Sequence, residues 1–295
     1  MRPMGAISAI KARIQKAASI DDALATALAL FLLGCRNKIK VMGHVAHFWV
    51  LVVGESSITH KSAAERAMLT GLYSKHHVFG TLEGLKKAWV DNDGNMNMVL
   101  VADEFGSFLK QAKSGSAGYK VLVDALNTLH DGKEYTFPET KNKGVTIPAG
   151  LKLSIIASTT PEAFEKNVTT EILQGGLFKR LLVVKPRQAE YTPPWEMEES
   201  KLRVTTYEAE WNENQEVQLS EGVKAKHSEF MREQMNASNW AGFWQRGERM
   251  MLDIAAIHSA LERGNAVINT EDWEFAMQTV AYSITSQKVL CGGGA

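Results

Sequence analysis

Lys61 and Ser62 are the pair from which chemistry can be read most directly. They follow the apolar run Phe48 to Val53 and a loop of glycine and small polar residues, and good helix formers follow them. Strand, loop and helix in that order aim backbone N–H groups and the positive end of a helix dipole at one point, which suits a phosphate. A lysine there supplies a cation to the outer phosphates, and the hydroxyl beside it supplies a ligand to magnesium. The candidate phosphate-binding residues are therefore Gly54, Glu55, Ser56, Ser57, Ile58, Thr59, His60, Lys61, Ser62 and Ala63. The pattern G-x-x-x-x-G-K-[ST] wants glycine at positions 55 and 60, where this chain has Glu55 and His60. Gly54 lies one residue early, so the loop must be longer than usual, and His60 must take a backbone conformation that glycine normally takes. Alone, the motif weighs about as much as an ordinary polar loop in an α/β domain.

A second apolar strand, Met98 to Ala102, ends on Asp103 and Glu104. Such a strand carries an acid to the phosphate side of a sheet, so Asp103 is the candidate for the magnesium shell and Glu104 for activating water. The plainer reading is a helix start, where acids are favoured. A third buried strand, Leu151 to Ala157, stops at Ser158-Thr159-Thr160-Pro161. Thr159 or Thr160 could contact the terminal phosphate or hold the attacking water, and either could also cap a helix that opens at Pro161. A phosphate loop followed along the chain by an acidic strand end is the order that a parallel sheet requires, with the site at the carboxyl edge of its strands.

The elements around these residues are legible in outline. Ile7 to Ala18 and Ala23 to Leu33 read as helices, the second ending at Gly34. His77 to Gly80 is a short strand, Thr81 opens a helix through Trp89, and Asp91 to Asn97 is turn chemistry. Phe105 to Leu109 and Tyr119 to Leu129 are helical. Glu134 to Phe137 and Gly144 to Ile147 form a hairpin whose polar tip carries Lys141 and Lys143, plainly read as a solvated end. Leu181 to Val184 is a further strand. Pro193, Pro194 and the acidic run Glu196 to Glu199 mark a domain edge. Beyond it Val217 to Asn236, Gly247 to Arg263 and Thr270 to Leu290 are helical, with His258 as a core histidine and Trp240, Trp244 and Trp273 as packing residues. The chain thus divides into a helical lead-in (1–47), an α/β core (48–190) and a linker with a helical lid (191–295).

Composition bounds the partners. The 295 residues are 45% hydrophobic, enough for a full core, and 33 Lys and Arg balance 33 Asp and Glu. No global basic field marks a nucleic-acid binder, so any such contact must be local. Cys35 and Cys291 indicate neither a disulfide framework nor a zinc cluster, and a reducing, cytoplasmic setting is the default expectation. The apolar run Ala23 to Leu33 is shorter than the roughly 20 residues that cross a bilayer.

The series VVGESSITHKS, TLEGLKKAW, LVADEFGSFL, LVDALNTLHDG, SIIASTTPEAF and GGLFKRLLVV, in that order, resembles an uncharacterised P-loop NTPase family of phage and plasmid primase-helicase proteins. More distantly it resembles AAA+ enzymes such as the minichromosome maintenance helicases, and the likeness covers nearly the whole chain. The resemblance implies a three-layer α/β P-loop NTPase core, AAA+ or RecA-like, with a C-terminal helical lid. It implies ATP and Mg2+ as cofactors, with Lys61 on the β- and γ-phosphates, Ser62 and Asp103 on magnesium, and Glu104 polarising water. Thr159 or Thr160 would be the first sensor, and Arg246 or Arg249 a second. Arg180 would be an arginine finger reaching a neighbouring subunit's nucleotide, and Lys141 and Lys143 would touch a nucleic-acid backbone. The function implied is an ATP-hydrolysing motor, the helicase or translocase part of a mobile-element or viral replication protein, working as a homo-oligomeric ring on single-stranded or duplex DNA with no membrane role. The alternative is a nucleotide-binding regulatory or assembly subunit that does not move along DNA.

Overall fold

The computed structural model describes residues 5–18, 20–55, 59, 61, 69, 76–102, 105–138, 144–187, 215–237 and 241–291. The N-terminal helices are α1 (Ala6–Ala18) and α2 (Asp22–Arg36), the second capped by Asp21, whose carboxylate accepts from Leu24 N. Then come β1 (Lys40–Val41), β2 (His44–Val45), β3 (Trp49–Val53), β4 (His76–Val78), α3 (Leu82–Asp91), β5 (Asn97–Ala102), α4 (Phe105–Lys113) and α5 (Ala117–His130). The hairpin strands β6 (Tyr135–Thr136) and β7 (Thr146–Ile147) precede β8 (Lys152–Thr159), α6 (Pro161–Asn167), α7 (Thr170–Gln174) and β9 (Leu181–Val184). The C-terminal part holds β10 (Glu216–Leu219), α8 (Glu221–Ala237), α9 (Ala241–Ile257), β11 (Val267–Ile268) and α10 (Thr270–Leu290).

The apolar runs become one parallel sheet in the order β4-β5-β8-β3-β9. Every residue of β3, β8 and β9 is buried, which is why these segments read as continuous rather than alternating apolar runs. The chain leaves β3 toward β4 at the far edge, then returns through β5 to β8 and passes over β3 to β9. The connections of the adjacent strands β3 and β8 therefore depart in opposite directions. In open α/β sheets the ligand crevice lies outside the carboxyl ends of such a pair. The exposed edge of β9 is covered by α10, where Ser283 Oγ accepts from Val183 N at 2.7 Å.

Two residues that look misplaced in the sequence are explained by packing. Lys152 lies inside the buried strand β8 because its ammonium donates to Cys35 O at 3.0 Å and Asn37 O at 2.7 Å, carbonyls at the negative end of α2. Gly34 does not end α2, which continues to Arg36. A Cβ there would lie 2.7 Å from Phe48 Cδ2, so this glycine lets the helix approach the residue before β3.

The C-terminal part differs from the expected three helices. Glu216–Leu219 is a strand that pairs in parallel with β1 and β11 in a second sheet, β11-β10-β1-β2. Its partners are far away in sequence, so local periodicity could not reveal it. The middle helix starts at Ala241 and widens into a π turn over His258–Glu262. Asn269, one residue before the expected Thr270, caps α10 in a capping box with Asp272. A single hydrophobic core runs from Ala6 to Leu290, shared by the segments expected as lead-in, core and lid. Among the described residues no helix is long and apolar enough to cross a membrane.

Candidate functional site

The carboxyl ends of β3 and β8 are tied together by three bonds. Gly54 N donates to Thr159 O at 3.1 Å, and the Lys61 ammonium donates to Gly54 O at 2.6 Å and Thr159 O at 2.7 Å. Lys61 is only 4% exposed, so a cation is held inside the protein at the crevice that the sheet topology marks. A desolvated ammonium is costly unless several oxygens surround it, and the strand-end carbonyls supply them. Before Lys61, Thr59 N and Thr59 Oγ1 both donate to Glu55 O, at 3.2 and 2.7 Å. Gly54 is required by space, since a Cβ would lie 2.7 Å from Thr59 Oγ1 and 3.0 Å from Pro186 Cγ. The glycine one residue early is thus the one the loop needs for its close approach.

Thr159 and Thr160, equivalent in the sequence, have different surroundings. Thr160 is the cap of α6, its hydroxyl accepting from Ala163 N at 3.2 Å. Thr159 is buried at the strand tip, and a Cβ on Gly106 at the start of α4 would lie 3.6 Å from its hydroxyl. Ala102 pairs with Ala157 in register, so β5 ends beside the tip of β8. Asp103 and Glu104 lie outside the described residues, as do Ser56, Ser57, Ile58, His60, Ser62, Ala63, Lys141 and Lys143. Among the described residues no three His, Cys, Asp or Glu side chains gather as metal ligands.

The arginines are at the other end of the sheet. Arg180 directly precedes β9 and is 5% exposed. Its guanidinium holds Asp131 in a fork, Nη2 lying 2.8 Å from both carboxylate oxygens, while Nη1 donates to Asn127 Oδ1 at 3.0 Å and Gly176 O at 2.8 Å. Where the resemblance implied a finger reaching toward a neighbour, Arg180 within this chain is an internal tie between α5 and the start of β9. Asp131 and Asn127 stand one helical turn apart at the end of α5, a signal present in LNTLHDG but without meaning until Arg180 was placed. Arg246 and Arg249, on α9, line a cavity of about 290 Å³ together with His44, His47, Trp49, His130, Asp131, Arg180 and Asp253. Trp49 begins β3 and Gly54 follows its end, so the length of the strand separates Arg249 from Lys61.

Sequence reading missed this cavity's histidines. His44 Nε2 is 2.8 Å from Asp253 Oδ1. The rings of His47 and His130 meet edge to face at 4.9 Å, and His130 meets Trp49 at 4.7 Å. Burial pushes His47 down to about 3 and His130 down to about 4, so both are neutral at pH 7. The His130 hydrogen bond, and then the Arg180 fork, hold the Asp131 carboxyl well below the usual carboxylate range. No protein-family model matches this chain, and a search of curated proteins finds no match to it.

Proposed function

We propose that this chain binds a nucleoside triphosphate at the carboxyl ends of β3, β5 and β8 and hydrolyses its terminal phosphate. The observation that carries this reading is the buried Lys61 ammonium on the carbonyls of Gly54 and Thr159, at the two strands whose connections diverge. Gly54 makes room for Thr59 and Pro186 at the strand end beside Lys61, and Thr159 lies near the start of α4, the helix that follows Asp103 and Glu104 in sequence. In this reading Lys61 holds phosphate charge, Thr159 orients the terminal phosphate, and Glu104 accepts a proton from the attacking water. Ser62 and Asp103 would hold magnesium, which supplies charge neutralisation when bound. Arg180 has no part in the chemistry.

The hairpin of β6 and β7, placed between α5 and β8, supports setting Lys141 and Lys143 on a nucleic-acid backbone. On that basis we extend the proposal to the helicase or translocase part of a replication protein, working as a homo-oligomeric ring on DNA.

Nucleotide binding and steady-state hydrolysis, each with and without single-stranded DNA, test both layers. Lys61→Ala should lose most binding, and Glu104→Gln should bind but not turn over. Unchanged binding in the first, or full turnover in the second, would overturn the hydrolase. A hydrolase indifferent to DNA would overturn only the motor and favour a regulatory or assembly subunit.

A further inference from the structure

The cavity at the amino ends of β3 and β9 contains groups that the described residues leave unsatisfied. Arg246 and Arg249 lie one turn apart on α9, yet among the described residues Arg246 comes no closer than 3.7 Å to Asp131, and Arg249 lies 3.8 Å from Asp253. Both distances are beyond hydrogen-bond reach. Both carboxylates are already engaged, Asp131 by the Arg180 fork and Asp253 by His44 at 2.8 Å. Glu248, the remaining acid of the lining, is 2.7 Å from His227. Arg249 Nε is buried and, among the described residues, has no hydrogen-bond partner. A buried donor in that condition calls for an acceptor, and a bound anion is one of the few ways to supply it.

His47 adds the complementary need. Its Nδ1 is 3.1 Å from Val45 O, and since a carbonyl can only accept, Nδ1 carries the proton. Nε2 is then a bare acceptor, and it too is buried with no hydrogen-bond partner among the described residues. Trp49 cannot serve it, because the indole N–H is committed to Leu153 O at 2.8 Å. The ligand that meets both needs has acceptor oxygens for the guanidinium groups and an acidic O–H for the imidazole. A phosphate that keeps one proton has both, and about 290 Å³ leaves room for a small organic body behind it.

We propose that this cavity is a second anion site, in which Arg246 and Arg249 bind the phosphate of a small phosphate-bearing molecule while His47 Nε2 accepts a hydrogen bond from its O–H. It is independent of Lys61, which lies at the opposite ends of the strands.

Titration calorimetry of the full chain with inorganic phosphate and with sulfate, at pH 7, tests the site. Sulfate has the same shape and charge but no proton, so it satisfies the arginines and not His47. Phosphate should bind roughly ten- to hundredfold tighter than sulfate, the range expected for one hydrogen bond to a charged ligand. Lys61→Ala should leave phosphate affinity unchanged. Arg246→Ala with Arg249→Ala should abolish it, Arg249→Lys should weaken it about tenfold, and His47→Phe should remove the preference over sulfate. Thermal melts of each variant establish that it is folded, and both arginines are exposed enough for their variants to fold. No binding of phosphate at millimolar concentration, equal binding of sulfate, loss of binding in Lys61→Ala, or retention in the double arginine variant would each overturn the proposal.

Discussion

The Lys61 ammonium lies 2.7 Å from the carbonyl oxygen of Thr159, across the tips of two adjacent parallel strands. The cation is thus built into the end of the sheet rather than left on a mobile loop. Thr159 and Thr160 can be separated by the same geometry. Thr159→Val keeps the carbonyl and the β-branched shape but removes the hydroxyl, so hydrolysis should fall while nucleotide affinity holds. Thr160→Ala removes the cap of α6 and should lower stability by about 1 kcal/mol with turnover intact. Turnover measured beside chemical denaturation distinguishes the two, and the reverse pattern would exchange their roles.

Arg180→Ala leaves the Asp131 carboxylate without its fork. Removing one partner of a buried pair typically costs about 3–5 kcal/mol, and the partial exposure of Asp131 places this one at about 3. Hydrolysis per folded molecule should change little. A thousandfold drop in turnover with an unchanged denaturation midpoint would return Arg180 to the chemistry.

Gly54→Ala places a methyl group against Thr59 Oγ1 and Pro186 Cγ. The loop must shift, at roughly 1–3 kcal/mol in stability, and the carbonyl that Lys61 uses must shift with it. Nucleotide affinity should therefore fall along with the melting temperature. Thr59→Ser at the same time relieves part of the crowding and should recover part of both. An unchanged melting temperature in Gly54→Ala would show that the close approach is not enforced.

The histidines beside Trp49 set a pH dependence with a definite sign. Their folded pKa values, about 3 for His47 and about 4 for His130, lie below the ordinary 6.5 because of burial. The unfolded chain then takes up protons first as pH falls, so this contribution to stability is complete above pH 6.5 and declines between 6.5 and about 4. The slope is about 1.4 kcal/mol per pH unit for each group. Asp131, whose folded pKa is depressed, adds a loss below the ordinary carboxylate range. Denaturation from pH 7.5 to 4.5 should show a steeper decline for the parent than for His47→Phe, by one proton's worth. Equal slopes would mean that His47 is already protonated in the folded protein.

What the sequence determined by itself is what depends on neighbours along the chain. Met98 to Ala102, Leu151 to Ala157 and Leu181 to Val184 were legible as strands because burial on both faces leaves a continuous apolar run. The hairpin at Glu134 to Ile147 was legible from its polar tip, and Lys61 was marked as the candidate cation by the loop and helix signals around it. Tertiary structure decided what depends on partners far apart in sequence. No local pattern could place β8 between β3 and β5, yet that order brings the Thr159 carbonyl to Lys61. Arg180 read as a finger, by resemblance, where Asp131 and Asn127 close on it from the end of α5. Gly34 read as a helix stop until the ring of Phe48 filled the space beside it. All but the first residue of the strand Glu216–Leu219 was hidden inside an expected helix, because both of its strand partners lie elsewhere in the chain. The cavity of Arg246, Arg249 and His47 draws on β3, α5 and α9 together, and long-range packing alone sets side chains from three such elements around one space.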